Sequence, residues 1–173
     1  MALILPFLVY SSVISLIGDD DPMDCNGHGT HVSGIVLGNA LNANASQPFV
    51  GVAPGARMFI YKVFGCDGST SQDLVIDALA RAFADGVQVI QMSIGGANGW
   101  SEVMDSVIAS RIASRGVFVS VAAGNDGGQG LFRASSPSTG KDVMAIASVD
   151  SSSVLGWDSL TAQNKTIVSS AEK

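Results

Sequence analysis

Val117-Phe118-Val119-Ser120-Val121-Ala122-Ala123-Gly124-Asn125-Asp126-Gly127 is the stretch from which the fold is read. A short valine-rich run makes a strand, and the small residues and glycines behind it end that strand abruptly. An apolar run this short, with little alternation, suits a strand of the fully buried kind found in parallel sheets. Working back toward the N-terminus, Gly116 closes a helix that starts at Ser101. Val103, Val107, Ile108 and Ile112 fall at helical spacing there, and Arg111 and Arg115 sit favourably near its C-terminus. Val87 to Ser93 is a second strand, closed by Ile94-Gly95-Gly96.

Before it, Thr70 or Ser71 caps a helix running to Ala84, with Asp73 near its start, Val75, Leu79, Ala82 and Phe83 as the buried stripe, and Gly86 just past its end. Arg57 to Val63 is a third strand, entered through the turn at Pro54-Gly55. Downstream, Val143 to Val149 is one more strand, and from Asp150 onward the chain is serine-rich without clear periodicity. Gly38 to Gln47 reads as a surface loop. Strands alternating with helices over short links predict an α/β fold with a mostly parallel sheet and right-handed crossovers. In such sheets ligands bind outside the carboxyl ends of the strands. Ser93-Ile94-Gly95-Gly96 and Gly124-Asn125-Asp126-Gly127 both fall at carboxyl ends, so the functional face is predicted there.

Composition narrows the classes. The 173 residues suit one domain, and 47% hydrophobic with 14% charged residues excludes a disordered chain. A net charge of −6 leaves no basic footprint, which argues against nucleic acid and anionic membrane surfaces as partners. Asp19, Asp20, Asp21 and Asp24 form a cluster that reads as a solvated loop, with cation or substrate contact as the sharper alternative. Cys25 and Cys66 either pair, as in an exported protein, or are both free; the sequence leaves this open. Sequons at Asn44 and Asn164 lean toward export. Residues 1–17 carry no charged side chain and admit three readings: a signal-peptide core, a buried strand pair, or foreign sequence joined to a genuine domain. Pro6, Ser11, Ser12 and Ser15 speak against a membrane-spanning helix.

Asp24-Cys25-Asn26-Gly27-His28-Gly29-Thr30-His31-Val32-Ser33-Gly34 holds both histidines. Asn26 and Thr30 are candidate caps of a helix whose first turn carries them. Metal binding by His28 and His31 lacks an obvious third ligand. For His31 a structural place, packed and bonded to backbone, is favoured. His28 stands between glycines that expose its ring, and an imidazole there can take and return a proton near neutral pH. Asn125, after a buried strand and among small residues, offers an amide that could donate to a developing oxyanion.

These segments carry a resemblance. Asn26 to Gly34 is similar to the histidine motif of the subtilisin-like serine proteases, the subtilases. The likeness continues through Gly51-Val52-Ala53-Pro54-Gly55-Ala56, Met92 to Gly96 and Ala122 to Gly127, in family order, and spans about Asp21 to Val149. The lead-in Asp21-Pro22-Met23-Asp24-Cys25-Asn26 resembles large secreted members with a protease-associated insert. The resemblance implies a three-layer, incomplete subtilisin-like fold and a secreted serine endopeptidase acting on peptide or protein substrates; no cofactor and no metal ligand is assigned, and calcium sites are left open. It makes His28 the triad base and Asn125 the oxyanion-hole side chain. Ser93, Ile94 and Gly95 become the edge that pairs with substrate backbone. Ala122, Ala123 and Gly124 become the lining of the first specificity pocket, with room for a large apolar side chain.

The family's other two motifs are missing. No aspartate stands in an Asp-Ser/Thr-Gly setting upstream of His28, and Gly-Thr-Ser-Met-Ala occurs nowhere. Asp19, behind the apolar run Ile14 to Ile17, is a weak stand-in. Ser135, Ser136 and Ser138, in a loop with Pro137, lack the helix start that would present a nucleophile. The expected organisation is an apolar segment over 1–17, a partial peptidase domain over 18–150 and a tail or insert start over 151–173. The sheet should lack the family's first strand and its later elements, leaving apolar faces bare and the chain prone to aggregate or partly molten. The expected activity of this chain alone is none; the alternatives are a non-catalytic peptide-binding homologue and a non-functional product.

Overall fold

The computed structural model describes residues 10–39, 49–149, 156–160 and 166–170. The loop expected over 38–47 and both sequons fall largely outside them. Strands β1 (Tyr10–Ser15) and β2 (Met58–Lys62) pair in parallel, with Val13 opposite Ile60 and Ser15 opposite Lys62. Between them lies α1 (His28–Leu37), and after them α2 (Gln72–Ala84) leads into β3 (Val89–Met92). A two-residue strand β4 (Gly96–Ala97) precedes α3 (Met104–Ala113) and β5 (Phe118–Ala122). Then come β6 (Ser135–Ser136), β7 (Met144–Ile146) and a hairpin, β8 (Gly156–Leu160) with β9 (Thr166–Ser170). The hairpin falls where the sequence shows no periodicity.

The centre is a parallel sheet in the order β3-β5-β7. Its register sets Ile90 opposite Val119, Met92 opposite Val121 and Ala122 opposite Ile146. Because side chains alternate across a strand, Ile90, Val119 and Val121 share one face. They pack there with Val75, Leu79 and Ala82 of α2 and Ala109 and Ile112 of α3. Each large apolar side chain fully buried in this way stabilises the fold by about 1.5–3 kcal/mol. Helix α2 follows its predicted stripe, except that Phe83 stays at the rim with the Arg115 guanidinium over its ring, 5.6 Å from the centroid.

Two expectations are corrected. Helix α3 starts at Met104 rather than Ser101, with Val103 in extended conformation at its N-cap, and buries Asp105, Ser106, Ala109 and Ile112 rather than a stripe through Val103 and Val107. The small residues are inside because the 137–143 segment crosses close: the Ser106 hydroxyl meets that of Thr139 at 2.9 Å, and the backbone of Gly140 lies against Ser106 and Ser110. Nor is β5 buried on both faces. Its second face carries Phe118, 51% exposed, beside Val89, Met144 and Ile146, all about half exposed or more. Among the described residues no element covers that face, although parallel sheets are ordinarily covered on both sides.

The chain should therefore self-associate through this face. Its weight-average mass in sedimentation is expected to rise with concentration, and Phe118→Lys with Met144→Lys should suppress the rise. A monomer at all concentrations, without those changes, would count against it.

Candidate active site

His28 is the first residue of α1, and the residue before it, Gly27, sits in the left-handed region at φ 89°. A helix start leaves backbone N–H groups without partners, and neither Asn26 nor Thr30 caps this one as expected. Asp24 does. Its Oδ1 accepts from the N–H groups of Asn26 at 2.9 Å and Gly27 at 2.8 Å, and its Oδ2 accepts from the N–H of Thr30 at 3.0 Å and from the Thr30 hydroxyl. Asn26 Oδ1 receives only the N–H of His28, at 3.4 Å. Partial burial pushes the Asp24 carboxyl up; the bonds from Thr30, Gly27 and Asn26 together outweigh it and hold the group well below the usual carboxylate range. At the far end of α1, the N–H groups of Gly51, Val52 and Ala53 donate to the carbonyls of Gly38, Ile35 and Val36.

Two further ties fix the loop ahead of His28. Cys25 and Cys66 form a disulfide across 41 residues, which settles the pairing the sequence left open. Closing a loop of that length stabilises the fold by about 4 kcal/mol in the chain-entropy account. Lys62, at the end of β2 and only 3% exposed, donates to Asp19 Oδ2 at 2.8 Å and to the carbonyl of Asp21 at 2.8 Å. The Lys62 bond first, and then the Ser15 hydroxyl, bring the Asp19 carboxyl down to about 2. Asp19 and Asp24 are thus spent on Lys62 and on the helix start. Among the described residues the His28 imidazole has no carboxylate partner.

His28, Ser93, Ile94, Gly95, Ala122, Gly124 and Asn125 all border one open cavity of about 1100 Å³. Asn125 and His28 are exposed to it. Ala123 is not in its wall: its N–H donates to Ile146 at 2.8 Å and its carbonyl accepts from Ser135 at 2.9 Å. The 135–138 segment forms the floor under the glycines. Gly124 has φ 103°, and a Cβ at Gly124 or Gly95 would run into Ser135. Ser135, Ser136 and Ser138 are buried; the Ser136 hydroxyl donates to Asp105 and the Ser138 hydroxyl to the Ser135 carbonyl. His31, favoured for a packed structural place, is instead exposed on α1. What sequence reasoning missed is the support: Asp24 as cap, Lys62 as anchor and Ser135 as floor. A lysine inside an otherwise apolar strand, with acids upstream, was the one available signal.

Removing the cap should loosen the helix that carries His28. Asp24→Ala is expected to cost about 1–2 kcal/mol, read as roughly 5- to 30-fold faster amide hydrogen exchange in the first turn of α1; unchanged exchange would refute the assignment. Both carboxyls are held down in the fold, so their contribution is whole above about pH 4, where the unfolded carboxyls are ionised, and is lost as pH falls. For Asp19 that loss runs from about pH 4 to about pH 2, and the 15–30 loop should open over that window in NMR spectra.

Comparison with known proteins places this geometry. A model of the subtilase family matches residues 12–172, a span that takes in most of β1 and the β8–β9 hairpin. Subtilisin-like protease 7 of Arthroderma gypseum is 45% identical over 114 residues, 62% of this chain and 26% of that protein. Subtilisin-like protease SBT1.6 of Arabidopsis thaliana is 38% identical over 119 residues, 64% of this chain and 16% of that protein. Among solved structures, the psychrophilic subtilisin-like protease Apa1 from Pseudoalteromonas sp. AS-11 superposes with a TM-score of 0.61 at 28% identity, over 80% of this chain and 31% of that one. The chain spans only a minor part of each relative's length. With the family model covering nearly all of its residues, the chain belongs to the subtilase family.

Proposed function

We propose that this chain carries the histidine, oxyanion and substrate-cleft portion of a secreted serine endopeptidase site, and that it is inert by itself. The observation that carries the reading is the shared cavity: His28, the Ser93–Gly95 segment and the Gly124–Asn125 turn border it at the carboxyl ends of β3 and β5. In the complete reaction His28 would take the proton of a serine hydroxyl and return it to the leaving amine, while the Asn125 amide donates to the tetrahedral oxyanion. Ser93, Ile94 and Gly95 would lie along the substrate backbone. Ala122 and Gly124, with Ala123 between them, would leave a pocket with space for a large apolar side chain.

Magnitude decides the question of activity. In subtilisin, the enzyme in which these losses were measured, removing one oxyanion donor costs about 3–4 kcal/mol. Removing its serine costs on the order of 10⁶ in kcat, about as much as removing the whole triad. This sequence holds neither the nucleophile motif nor the aspartate motif, and Asp19 and Asp24 are engaged elsewhere. The export reading rests on the Cys25–Cys66 disulfide, which suits an oxidising compartment, and on the sequons.

Purified chain mixed with casein should release no peptides over buffer. Cleavage abolished by a serine-directed inhibitor would overturn the inert reading. The cleft assignment is checked separately: a short peptide containing Phe should shift the NMR signals of His28, Ser93 and Asn125, and Asn125→Ala should weaken binding. Equal shifts with Asp in place of Phe would sink the apolar preference.

A further inference from the structure

Asp105 is a buried carboxyl that neither the cleft nor the supports of His28 employ. It lies in the first turn of α3 and is only 7% exposed. A carboxylate at that depth is costly unless it is hydrogen-bonded. Its Oδ1 accepts from the Ser106 N–H at 2.7 Å, and its Oδ2 accepts from the Ser136 hydroxyl at 3.3 Å. The helix start adds support, because its free N–H groups favour negative charge. Among the described residues Asp105 and Ser136 are each other's only side-chain partners. Breaking that bond orphans a buried polar atom on both sides.

Ser136 connects this acid to the cleft. Successive side chains of a strand point to opposite faces, so Ser135 and Ser136 in β6 look opposite ways. Ser135 borders the cavity with Gly95 and Gly124, and a Cβ on Gly95 would lie 2.7 Å from that of Ser135. Ser136 turns to α3. The same turn of α3 grips the segment again beyond the fully buried Pro137: the Ser106 hydroxyl meets that of Thr139 at 2.9 Å, and Thr139 donates to the Trp100 carbonyl at 3.0 Å. On the cleft side β6 is tied by main chain, through its pairing with β4 and the Ser135 N–H on the Ala123 carbonyl.

We propose that Asp105 is a positioning residue for the substrate cleft: through Ser136 it fixes the height of β6, and with it the depth of the pocket that Ser135 floors. This rests on the cleft reading given above. A pocket with a fixed, deep floor favours a large apolar side chain over a small one. Loosening the floor gives up that preference, while a small side chain that never reaches the floor binds as before. The carboxylate does this without touching the substrate.

The test uses the whole chain, the short Phe-containing peptide and the same peptide with Ala in place of Phe. Unaltered chain should bind the Phe peptide more tightly. Asp105→Ala should lower the Phe-to-Ala affinity ratio by about fivefold or more, by weakening the Phe peptide alone. It should also speed hydrogen exchange of the Ser135 N–H by about tenfold, with Val119 and Val121 unchanged. Ser136→Ala, a milder deletion, should do the same, and the double variant should add nothing to either single change. An unchanged ratio or unchanged Ser135 exchange would overturn the proposal. So would equal loss of both peptides, equally faster exchange at Val119 and Val121, or additive effects. Unaltered chain that binds neither peptide fails the cleft reading, and the positioning role with it; a preference for Phe that survives both variants fails the role of Asp105 alone.

Discussion

Parallel pairing of β3 with β5 is the constraint from which the site follows. Ile90 against Val119 and Met92 against Val121 set two strands in the same sense, so their carboxyl ends and the loops that leave them must emerge side by side. Ser93 to Gly95 and Gly124–Asn125 are neighbours for that reason alone. Helices α2 and α3 hold the pair in place by burying Leu79, Ala109 and Ile112 on one face. The glycines at the strand ends then admit the 135–138 segment as a floor, where any side chain would collide with Ser135.

The histidine reaches this cleft by a different route. It is carried on α1, which among the described residues contributes nothing to the buried cluster of α2 and α3. Its position depends on polar and covalent ties: the Asp24 cap, the Cys25–Cys66 disulfide and the buried Lys62 amine on Asp19 and the Asp21 carbonyl. Core packing thus places one half of the cleft, and a network of a few directional bonds places the other. The second half is held by carboxylates and a disulfide, whereas the cluster packed between α2, α3 and β5 is apolar.

Sheet continuity is where the molecule departs from an ordinary α/β domain. The crossover from β2 through α2 to β3 is formed, yet among the described residues the strands it joins belong to separate sheets. The second face of β3–β5–β7 is bare among the described residues, with Phe118 and Val89 exposed.

By itself the sequence determined the elements whose signals are local. Strands at 58–62, 89–92 and 118–122 and the α2 stripe are legible because periodicity and glycine stops act over a few residues. The site segments 93–95 and 124–125 are legible because carboxyl ends of parallel strands are predictable once the strands are. Tertiary structure alone decided the rest. The face that α3 buries depends on how closely 137–143 crosses it. Whether Cys25 meets Cys66 depends on where β2 ends relative to α1. Which oxygen caps α1 depends on a loop conformation that brings Asp24, rather than the nearer Asn26, under the Thr30 N–H. Each of these is a contact between residues far apart in sequence or set by loop shape, and no local pattern encodes such a contact.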